Sequence, residues 1–146
     1  MKILISGALG HIGSKLTHSI KPGDFEEVHM VDNLSTQRYA SLFNLPKGVN
    51  FTFIEDDILK VDLTALTKDI DIVIHLAAIT DASASFQRRE EVEQVNYEGT
   101  KRVAEACIKV GAGLLFPATT SVYGSQSEVV DETCSVEELK PQSPYA

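Results

Sequence analysis

The chain has 146 residues, and its 43% hydrophobic and 23% charged side chains are typical of an ordinary folded domain, which excludes fibrous and disordered classes. Its net charge of -8 repels nucleic acids and anionic lipid surfaces, so we expect neither a nucleic-acid nor a membrane partner. The sequence shows no secretory signal pattern. It also shows no apolar stretch of the ~20 residues that a membrane span needs, and we therefore expect a cytoplasmic protein.

Strand and helix patterns alternate along the chain. Apolar runs predict β-strands at residues 2–6, 27–31, 51–54, 70–76 and 114–116. Helical segments are predicted between them at residues 11–20, 63–68 and 90–110, with a short amphipathic piece that ends at Asn44. The first four strands are rich in continuous Ile, Val and Phe, which is typical of strands covered on both faces. The sequence therefore predicts an α/β fold: a Rossmann-type, doubly wound parallel sheet in three αβα layers, as one domain over residues 1–146.

The strongest helix prediction covers residues 90–110. Apolar side chains recur there at intervals of three and four residues, and Gly111 supplies a stop signal. Residues 125–146 lose this periodicity and carry two prolines, so we expect mostly loop. The two cysteines, Cys107 and Cys134, belong to no metal-binding motif, and no metal is expected.

A glycine motif follows the first strand and opens the first helix. Gly7 permits a tight turn, Gly10 lets a pyrophosphate approach the backbone, and Gly13 lets the helix pack close to the sheet. His11 and Ile12 begin the helix, whose N-terminus faces the phosphates. We interpret all five residues as cofactor-binding, with His11 a helix-start residue rather than an acid or base.

The second strand ends at Asp32, 19 positions after Gly13, close to the spacing of the acid that holds the ribose hydroxyls of a dinucleotide. Its carboxylate would repel the 2′-phosphate of NADP, so NAD is the predicted cofactor. The polar residues that follow, Asn33, Ser35 and Thr36, either add ribose contacts or cap the next helix.

Two further strand ends carry candidate cofactor residues. Asp57 could accept the adenine amino group while the Ile58 amide serves a ring nitrogen, and the adjacent Asp56 is the alternative partner. After the fourth strand, the short side chains of Leu76-Ala77-Ala78 let a flat cofactor lie against the backbone. His75 is interpreted as a strand-end histidine with hydrogen-bond partners rather than as a ligand.

Six motifs occur in a characteristic order: Gly7-x-x-Gly10-x-x-Gly13, Asp32-Asn33-Leu34-Ser35, Asp57-Ile58, His75-Leu76-Ala77-Ala78, Asn96 with Gly99-Thr100, and Ser121-Val122-Tyr123-Gly124. Together they resemble the extended short-chain dehydrogenase/reductase family, specifically its NAD-dependent nucleotide-sugar epimerases and dehydratases. The resemblance spans the whole chain. It implies NAD as cofactor and adds Asn96 to the cofactor-binding residues.

The resemblance also implies catalytic residues. In that family a Ser or Thr lies four positions before the tyrosine of the VYG segment and bonds the sugar oxygen; here it is Thr119. Thr120 and Ser121 follow as substrate-binding candidates, where dehydratases carry Asp-Glu, which argues against sugar 4,6-dehydration. The catalytic tyrosine belongs to a later YxxxK motif after a Pro/Ser-rich loop, and the match is Tyr145, not Tyr123.

The lysine of that motif would lie four positions after Tyr145, whereas the sequence ends one position after it. A phenol with a pKa near ~10 is a poor base at neutral pH unless a neighbouring cation lowers it. We therefore expect an N-terminal fragment that lacks the sugar-binding domain and has negligible turnover by itself.

For the intact protein, the resemblance implies an epimerase of nucleotide sugars, with UDP-hexose 4-epimerase the first choice. Tyr145 would remove a proton from a sugar hydroxyl oriented by Thr119, while hydride passes to NAD and returns to the other face of the keto intermediate. Two alternatives stay open: a nucleotide-sugar dehydrogenase or NADP-dependent reductase, and a non-catalytic NAD-binding sensor. Family members are commonly homodimers, and helix 90–110 is a candidate interface.

Overall fold

The computed structural model describes residues 1–125 and 130–146. Five parallel strands form one sheet in the order β3-β2-β1-β4-β5. They are β1 (Lys2–Ser6), β2 (Glu27–Asp32), β3 (Phe51–Glu55), β4 (Ile72–His75) and β5 (Gly113–Leu115). The predicted Rossmann-type parallel sheet is confirmed. Residues 126–129, within the stretch predicted as mostly loop, lie outside the described residues.

The central strand β1 pairs with β2 on one side and β4 on the other, so the chain reverses its direction of travel across the sheet at this point. In doubly wound sheets a ligand crevice opens beyond the carboxyl ends of the strands at such a reversal. Ser6 ends β1 and His75 ends β4, and the two are neighbours in register. The fold therefore places the glycine motif and residues 76–79 at the same edge of the sheet.

The helices are α1 (His11–Ser19), α2 (Leu63–Leu66), α3 (Arg89–Val92) and α4 (Gly99–Val110), and a π-helical segment, Glu93–Glu98, joins the last two. The helix predicted at 90–110 is thus confirmed, with a widened middle that periodicity did not predict. The amphipathic piece before Asn44 is a 3-10 turn, Tyr39–Leu42. Within the described part of the chain, no helix is long and apolar enough to cross a membrane.

Both faces of the sheet are covered by apolar side chains. Ile3 and Ile5 lie on one face in a cluster that includes Ile20 just after α1, while Leu4 lies on the other face with Val103 from α4. All three strand residues are no more than 2% exposed. Because successive side chains of a strand point to opposite faces, β1 contributes to both halves of the core. The expected three layers are confirmed.

The edge strand β5 is less well covered than the other strands. Leu114, Leu115 and the following Phe116 are 38%, 52% and 49% exposed. In the described ranges β5 pairs only with β4, and helix α4 contacts it. The predicted strand is therefore present, but its apolar run does not indicate how much of it other segments cover.

Candidate cofactor and substrate site

In the turn after β1, the backbone packs directly against the loop after β4 and against the first turn of α1. Gly7 has φ of +67°, and a Cβ there would lie 2.6 Å from the Ala77 nitrogen and 2.7 Å from the Leu76 carbonyl carbon. A Cβ on Gly13 would overlap the Gly7 carbonyl oxygen. Both positions require glycine, since any side chain would separate α1 or the loop after β4 from the turn. The roles predicted for Gly7 and Gly13 match this packing.

No side chain caps the N-terminus of helix α1. The amide of Ser14 donates to the Gly10 carbonyl at 2.9 Å, so the amides of His11, Ile12 and Gly13 precede the first intrahelical bond. Gly10 offers no side-chain cap, and the first turn carries no acidic residue. These amides can hold a phosphate at the positive end of the helix. His11 is the first residue of α1 and is exposed, as predicted for a helix-start residue.

Asp32 ends β2, as predicted, and its half-buried carboxylate joins two loops. One oxygen accepts from the Leu9 amide at 3.0 Å and the other from the Leu34 amide at 2.9 Å. Two amide donors fix the carboxylate against the glycine turn. The carboxylate of Asp32 therefore lies beside the turn that leads into α1.

A cleft of about 310 Å³ opens beside this carboxylate. Most residues predicted to bind cofactor line it: Gly7, Gly10, Asp32, Asn33, Ser35, Asp57, Ile58, Leu76, Ala77 and Ala78. Asp56 lines it too, and its carboxylate accepts from the Asp57 amide at 2.7 Å, while that of Asp57 accepts from the Leu59 amide at 2.9 Å. Across residues 1–125 and 130–146, no three His, Cys, Asp or Glu side chains form a metal-holding group.

The polar residues after Asp32 close a local turn. The side-chain oxygen of Asn33 accepts from the Ser35 amide at 3.1 Å, and Ser35 and Thr36 line the cleft. The next helical turn begins after Arg38 and has no side-chain cap. The alternative that these residues cap the next helix is therefore wrong. Ribose contact by Asn33, Ser35 and Thr36 stays a prediction.

Sequence reasoning missed two charged residues of the cleft. Arg88 and Glu91 line it and form a bidentate ion pair, with nitrogen to oxygen distances of 2.7 and 2.6 Å. The hydrogen bonds from Arg88 lower the pKa of Glu91 and fix both side chains at the rim. No signal in the sequence distinguishes this pair from an ordinary solvated one at the start of a helix.

A second cleft, of about 490 Å³, contains both predicted catalytic residues. Thr119 and Tyr145 line it together with Asn96, and Ala78 lines both clefts, so the two spaces adjoin. The Thr119 hydroxyl accepts from the Ser121 amide at 3.1 Å, which orients its side chain at the start of a 3-10 turn. Thr120 and Ser121, predicted to bind substrate, are exposed and line neither cleft.

His75 is buried and takes part in a chain of hydrogen bonds between β1 and the helix that carries Asn96. The Thr100 hydroxyl donates to the Asn96 carbonyl at 2.6 Å, so it accepts from His75 Nε2 at 3.1 Å. His75 Nδ1 is then the acceptor for the Ser6 hydroxyl at 2.6 Å. Burial lowers the pKa of His75 to about 4, and the ring is neutral. The interpretation of His75 as a strand-end histidine with partners is confirmed.

Comparison with known proteins identifies the family. Residues 3–146 match the family model described as the NAD dependent epimerase/dehydratase family. The chain belongs to this family. The extended short-chain dehydrogenase/reductase resemblance of the motifs is confirmed, and the family's cofactor is NAD. The glycine turn has no room for a Cβ at Gly7 or Gly13, and the Asp32 carboxylate is held beside it. Both features fit a dinucleotide of this kind.

Relatives within the epimerase/dehydratase family differ in reaction. The chain is 33% identical to an uncharacterized UDP-glucose epimerase of Bacillus subtilis (strain 168), covering 99% of this chain and 47% of that protein. It is 34% identical to a dTDP-D-glucose 4,6-dehydratase of Mus musculus, covering 99% of this chain and 42% of that one. The chain thus spans less than half the length of these curated relatives.

A solved structure shows the same fold. The UDP-glucuronic acid 4-epimerase from Bacillus cereus, in complex with UDP-glucuronic acid and NAD, superposes with a TM-score of 0.86. The two chains are 33% identical, and the match covers 99% of this chain and 48% of the Bacillus cereus chain. The Rossmann-type fold and the NAD-dependent class of this epimerase/dehydratase chain are therefore established.

Proposed function

We propose that this chain is the NAD-binding part of a nucleotide-sugar epimerase. The observation that carries the proposal is the meeting of two clefts at Ala78: one beside the glycine turn and Asp32, the other lined by Thr119 and Tyr145. A hydride-transfer enzyme needs its cofactor next to a group that moves a proton on the substrate. The similarity to UDP-sugar epimerases supports the same conclusion.

The proposed cofactor contacts come from the start of α1 and from the first cleft; His11, Ile12 and Gly13 do not line that cleft. The amides of His11, Ile12 and Gly13 hold the diphosphate, and the Asp32 carboxylate accepts from the ribose hydroxyls. Asp57 and Ile58 hold the adenine, with Asp56 as the alternative acid. Since Asp32 would repel a 2′-phosphate at the ribose, we propose NAD and not NADP as the ligand.

The second cleft supplies the proton chemistry. When bound, NAD accepts a hydride from a sugar carbon and can return it. Thr119 would orient the oxygen on that carbon through its hydroxyl, and Tyr145 would take the proton of this oxygen on its phenol oxygen and give it back. The Tyr145 amide donates to the Ser85 hydroxyl at 3.3 Å, which ties the tyrosine backbone to a fully buried side chain.

Epimerisation is favoured over dehydration by the residues beside Thr119. Sugar dehydration needs an acid and a base beyond the tyrosine, because a proton and a hydroxyl group leave the sugar. Thr120 and Ser121 offer only hydroxyls, and both side chains are exposed.

Two measurements test the proposal. Calorimetric titration of the 146-residue chain with NAD and, separately, NADP tests the cofactor; we expect heat of binding with NAD, and a preference for NADP would contradict the role of Asp32. Joining residues 1–146 to the carboxyl-terminal half of the Bacillus cereus epimerase tests the chemistry. The fusion is expected to convert UDP-glucuronic acid into its 4-epimer, and Tyr145→Phe to abolish this.

The fusion also separates the alternatives. A sensor without chemistry predicts that a folded, NAD-binding fusion stays inactive, and a dehydrogenase predicts NADH accumulation in step with sugar oxidation. An epimerase regenerates its cofactor, so the absorbance of NADH stays level while the sugar changes. Tyr145→Phe with full activity would refute the assignment of the tyrosine.

A homodimer is proposed through the helix that runs from α3 to α4. Tyr97 and Ile108 are 59% and 82% exposed on this helix, and exposed apolar surface is a common place for protein–protein contact. Light scattering of the chain at several concentrations measures its state, and Ile108→Glu is expected to shift a dimer towards monomer. A monomer at all concentrations would contradict this part of the proposal.

A further inference from the structure

Asn96 is joined to Ile79 by two hydrogen bonds. Its side-chain oxygen accepts from the Ile79 amide at 2.8 Å, and its side-chain nitrogen donates to the Ile79 carbonyl at 2.9 Å. Both ends of the carboxamide are thereby used by one backbone residue 17 positions away. We refer to this arrangement as the Asn96–Ile79 pair. It connects the helix on one side of the two clefts to the loop that follows β4.

The helix presents Asn96 through an irregular turn. Asn96 lies in the π-helical segment Glu93–Glu98, where the backbone is wider than in an α-helix. Its own carbonyl accepts from the Thr100 hydroxyl at 2.6 Å, and Thr100 is held in turn by His75 at 3.1 Å. The position of Asn96 is therefore fixed by buried groups that reach back to the sheet.

The loop held by the pair forms part of the cofactor cleft. The last sheet hydrogen bond of this segment runs from the Leu76 amide to the Ser6 carbonyl at 2.9 Å. Beyond it, Ala77, Ala78 and Ile79 all line the first cleft. The Ala77 nitrogen lies so close to Gly7 that a Cβ on that glycine would approach it to 2.6 Å. A small displacement of the loop would thus change the shape of the glycine turn.

We propose that Asn96 is a positioning residue, which acts on the bound cofactor through Ile79 and not through a contact of its own carboxamide. The proposal rests on the function proposed above, and it replaces the direct cofactor contact that the sequence suggested for Asn96. Two hydrogen bonds direct the carboxamide at Ile79, and Asn96 lines the second cleft but not the first, where the glycine turn and Asp32 lie. Its role is to hold residues 77–79 against the turn at Gly7.

Three variants of the 146-residue chain test this role. Asn96→Leu keeps the size and removes both bonds, and Asn96→Asp keeps an acceptor for the Ile79 amide but loses the donor. Gln94→Leu makes the same kind of change at an exposed position of the same π-helical segment and serves as control. Each variant is measured for NAD affinity by calorimetry below its unfolding temperature, and for amide exchange at Ile79 by NMR.

We expect Asn96→Leu to weaken NAD binding about tenfold, because two backbone groups of the loop lose their partner. Exchange at Ile79 should accelerate, while exchange at Val73 in the sheet interior should stay slow. Asn96→Asp should give a smaller loss of affinity, and Gln94→Leu none. If Asn96→Leu does not fold, Asn96→Asp alone carries the comparison with Gln94→Leu.

Two results would overturn the proposal. NAD affinity that is unchanged in Asn96→Leu while Ile79 exchanges rapidly would show that the loop position has no bearing on the cofactor. Weakened binding with a protected Ile79 amide would show that Asn96 touches the cofactor directly. If the unaltered chain binds no NAD, the proposed function and this inference both fail, whereas the first two results leave the proposed function intact.

Discussion

The amide of Leu9 donates to Asp32 across 3.0 Å, which links the turn after β1 to the end of β2. The second oxygen of the same carboxylate accepts from the Leu34 amide at 2.9 Å. One side chain therefore sets the spacing between the loop that offers amides to a diphosphate and the loop that offers a charge to a ribose. A change at Asp32 should affect cofactor choice and cofactor affinity together.

Replacing the carboxylate by an amide tests this link. Asp32→Asn preserves the shape but removes the charge and leaves one acceptor oxygen for two amide donors. We expect NAD affinity to fall about tenfold, the scale of one charge-assisted hydrogen bond. The ratio of NADP to NAD affinity should rise, because the repulsion of the 2′-phosphate is gone. Calorimetry with each cofactor measures both effects.

Asp62→Asn is the matched control. Asp62 precedes α2, and its carboxylate also accepts a backbone bond, from the Ala65 amide at 3.1 Å, but it lies outside the cofactor cleft. We expect it to leave both affinities unchanged. An Asp32→Asn chain with the cofactor preference of the unaltered chain would show that Asp32 does not face the ribose.

Gly13→Ala should disturb the packing of α1 on the turn. The added Cβ would overlap the Gly7 carbonyl, which is backbone and cannot rotate away. We expect a loss of about 1–3 kcal/mol in the free energy of unfolding, the usual cost of overpacking, together with weaker NAD binding. Urea denaturation measures the first and calorimetry the second.

Gly113→Ala gives the comparison, since its Cβ would meet its nearest neighbour, the Asp71 carbonyl oxygen, at 3.6 Å, an ordinary contact. Little change in stability is expected there. Equal stability of the two variants would mean that α1 can move away from Gly7 without cost. That result would remove the physical reason given for glycine at position 13.

The sequence predicted the sheet and the strand-end residues well, because these depend on local patterns. Continuous apolar runs placed β1 to β4 within two residues, and parallel strands put their polar ends at one edge. The apolar run at residues 114–116 predicts the strand β5 but not its surroundings, where Leu115 is 52% exposed. A run of apolar residues carries no information about which other segment is present to cover it.

The contacts of Asn96 and Arg88 could not be predicted from the sequence, for a different reason. The partner of Asn96 is Ile79, and its approach depends on a π-helical turn that apolar periodicity does not reveal. Arg88 and Glu91 have the spacing of a surface ion pair, and only the fold brings them to the cleft. Both cases depend on distances between elements, which the residue types alone do not encode.

The stability of the chain should depend on His75 below neutral pH. The folded pKa of about 4 lies below the value near ~6.5 of a free histidine, because burial disfavours the charged ring. As pH falls through this window, the unfolded chain takes up a proton that the folded chain does not. We expect the free energy of unfolding to fall by about 2 kcal/mol between pH 7 and pH 5 from this residue.

His75→Gln provides the control for other titrating groups. It removes the ring and is expected to lower stability at pH 7, but its free energy of unfolding should change less between pH 7 and pH 5. The quantity to compare is the pH dependence of the two chains in urea denaturation. Parallel curves would contradict a neutral, buried ring at His75.

Thr100→Val tests the direction of the hydrogen bonds that converge on this histidine. Valine keeps the shape but leaves His75 Nε2 without its acceptor at 3.1 Å and the Asn96 carbonyl without its donor at 2.6 Å. Since a buried donor without a partner is costly, we expect a loss of about 1–3 kcal/mol in the free energy of unfolding. Thr80→Val, at an exposed threonine, should cost much less.

The nitrogen NMR shifts of His75 in the unaltered chain test the same hydrogen bonds directly. We expect them to report a proton on Nε2. A proton on Nδ1 would mean that His75 donates to Ser6, which would reverse the order of donors from Ser6 to Asn96.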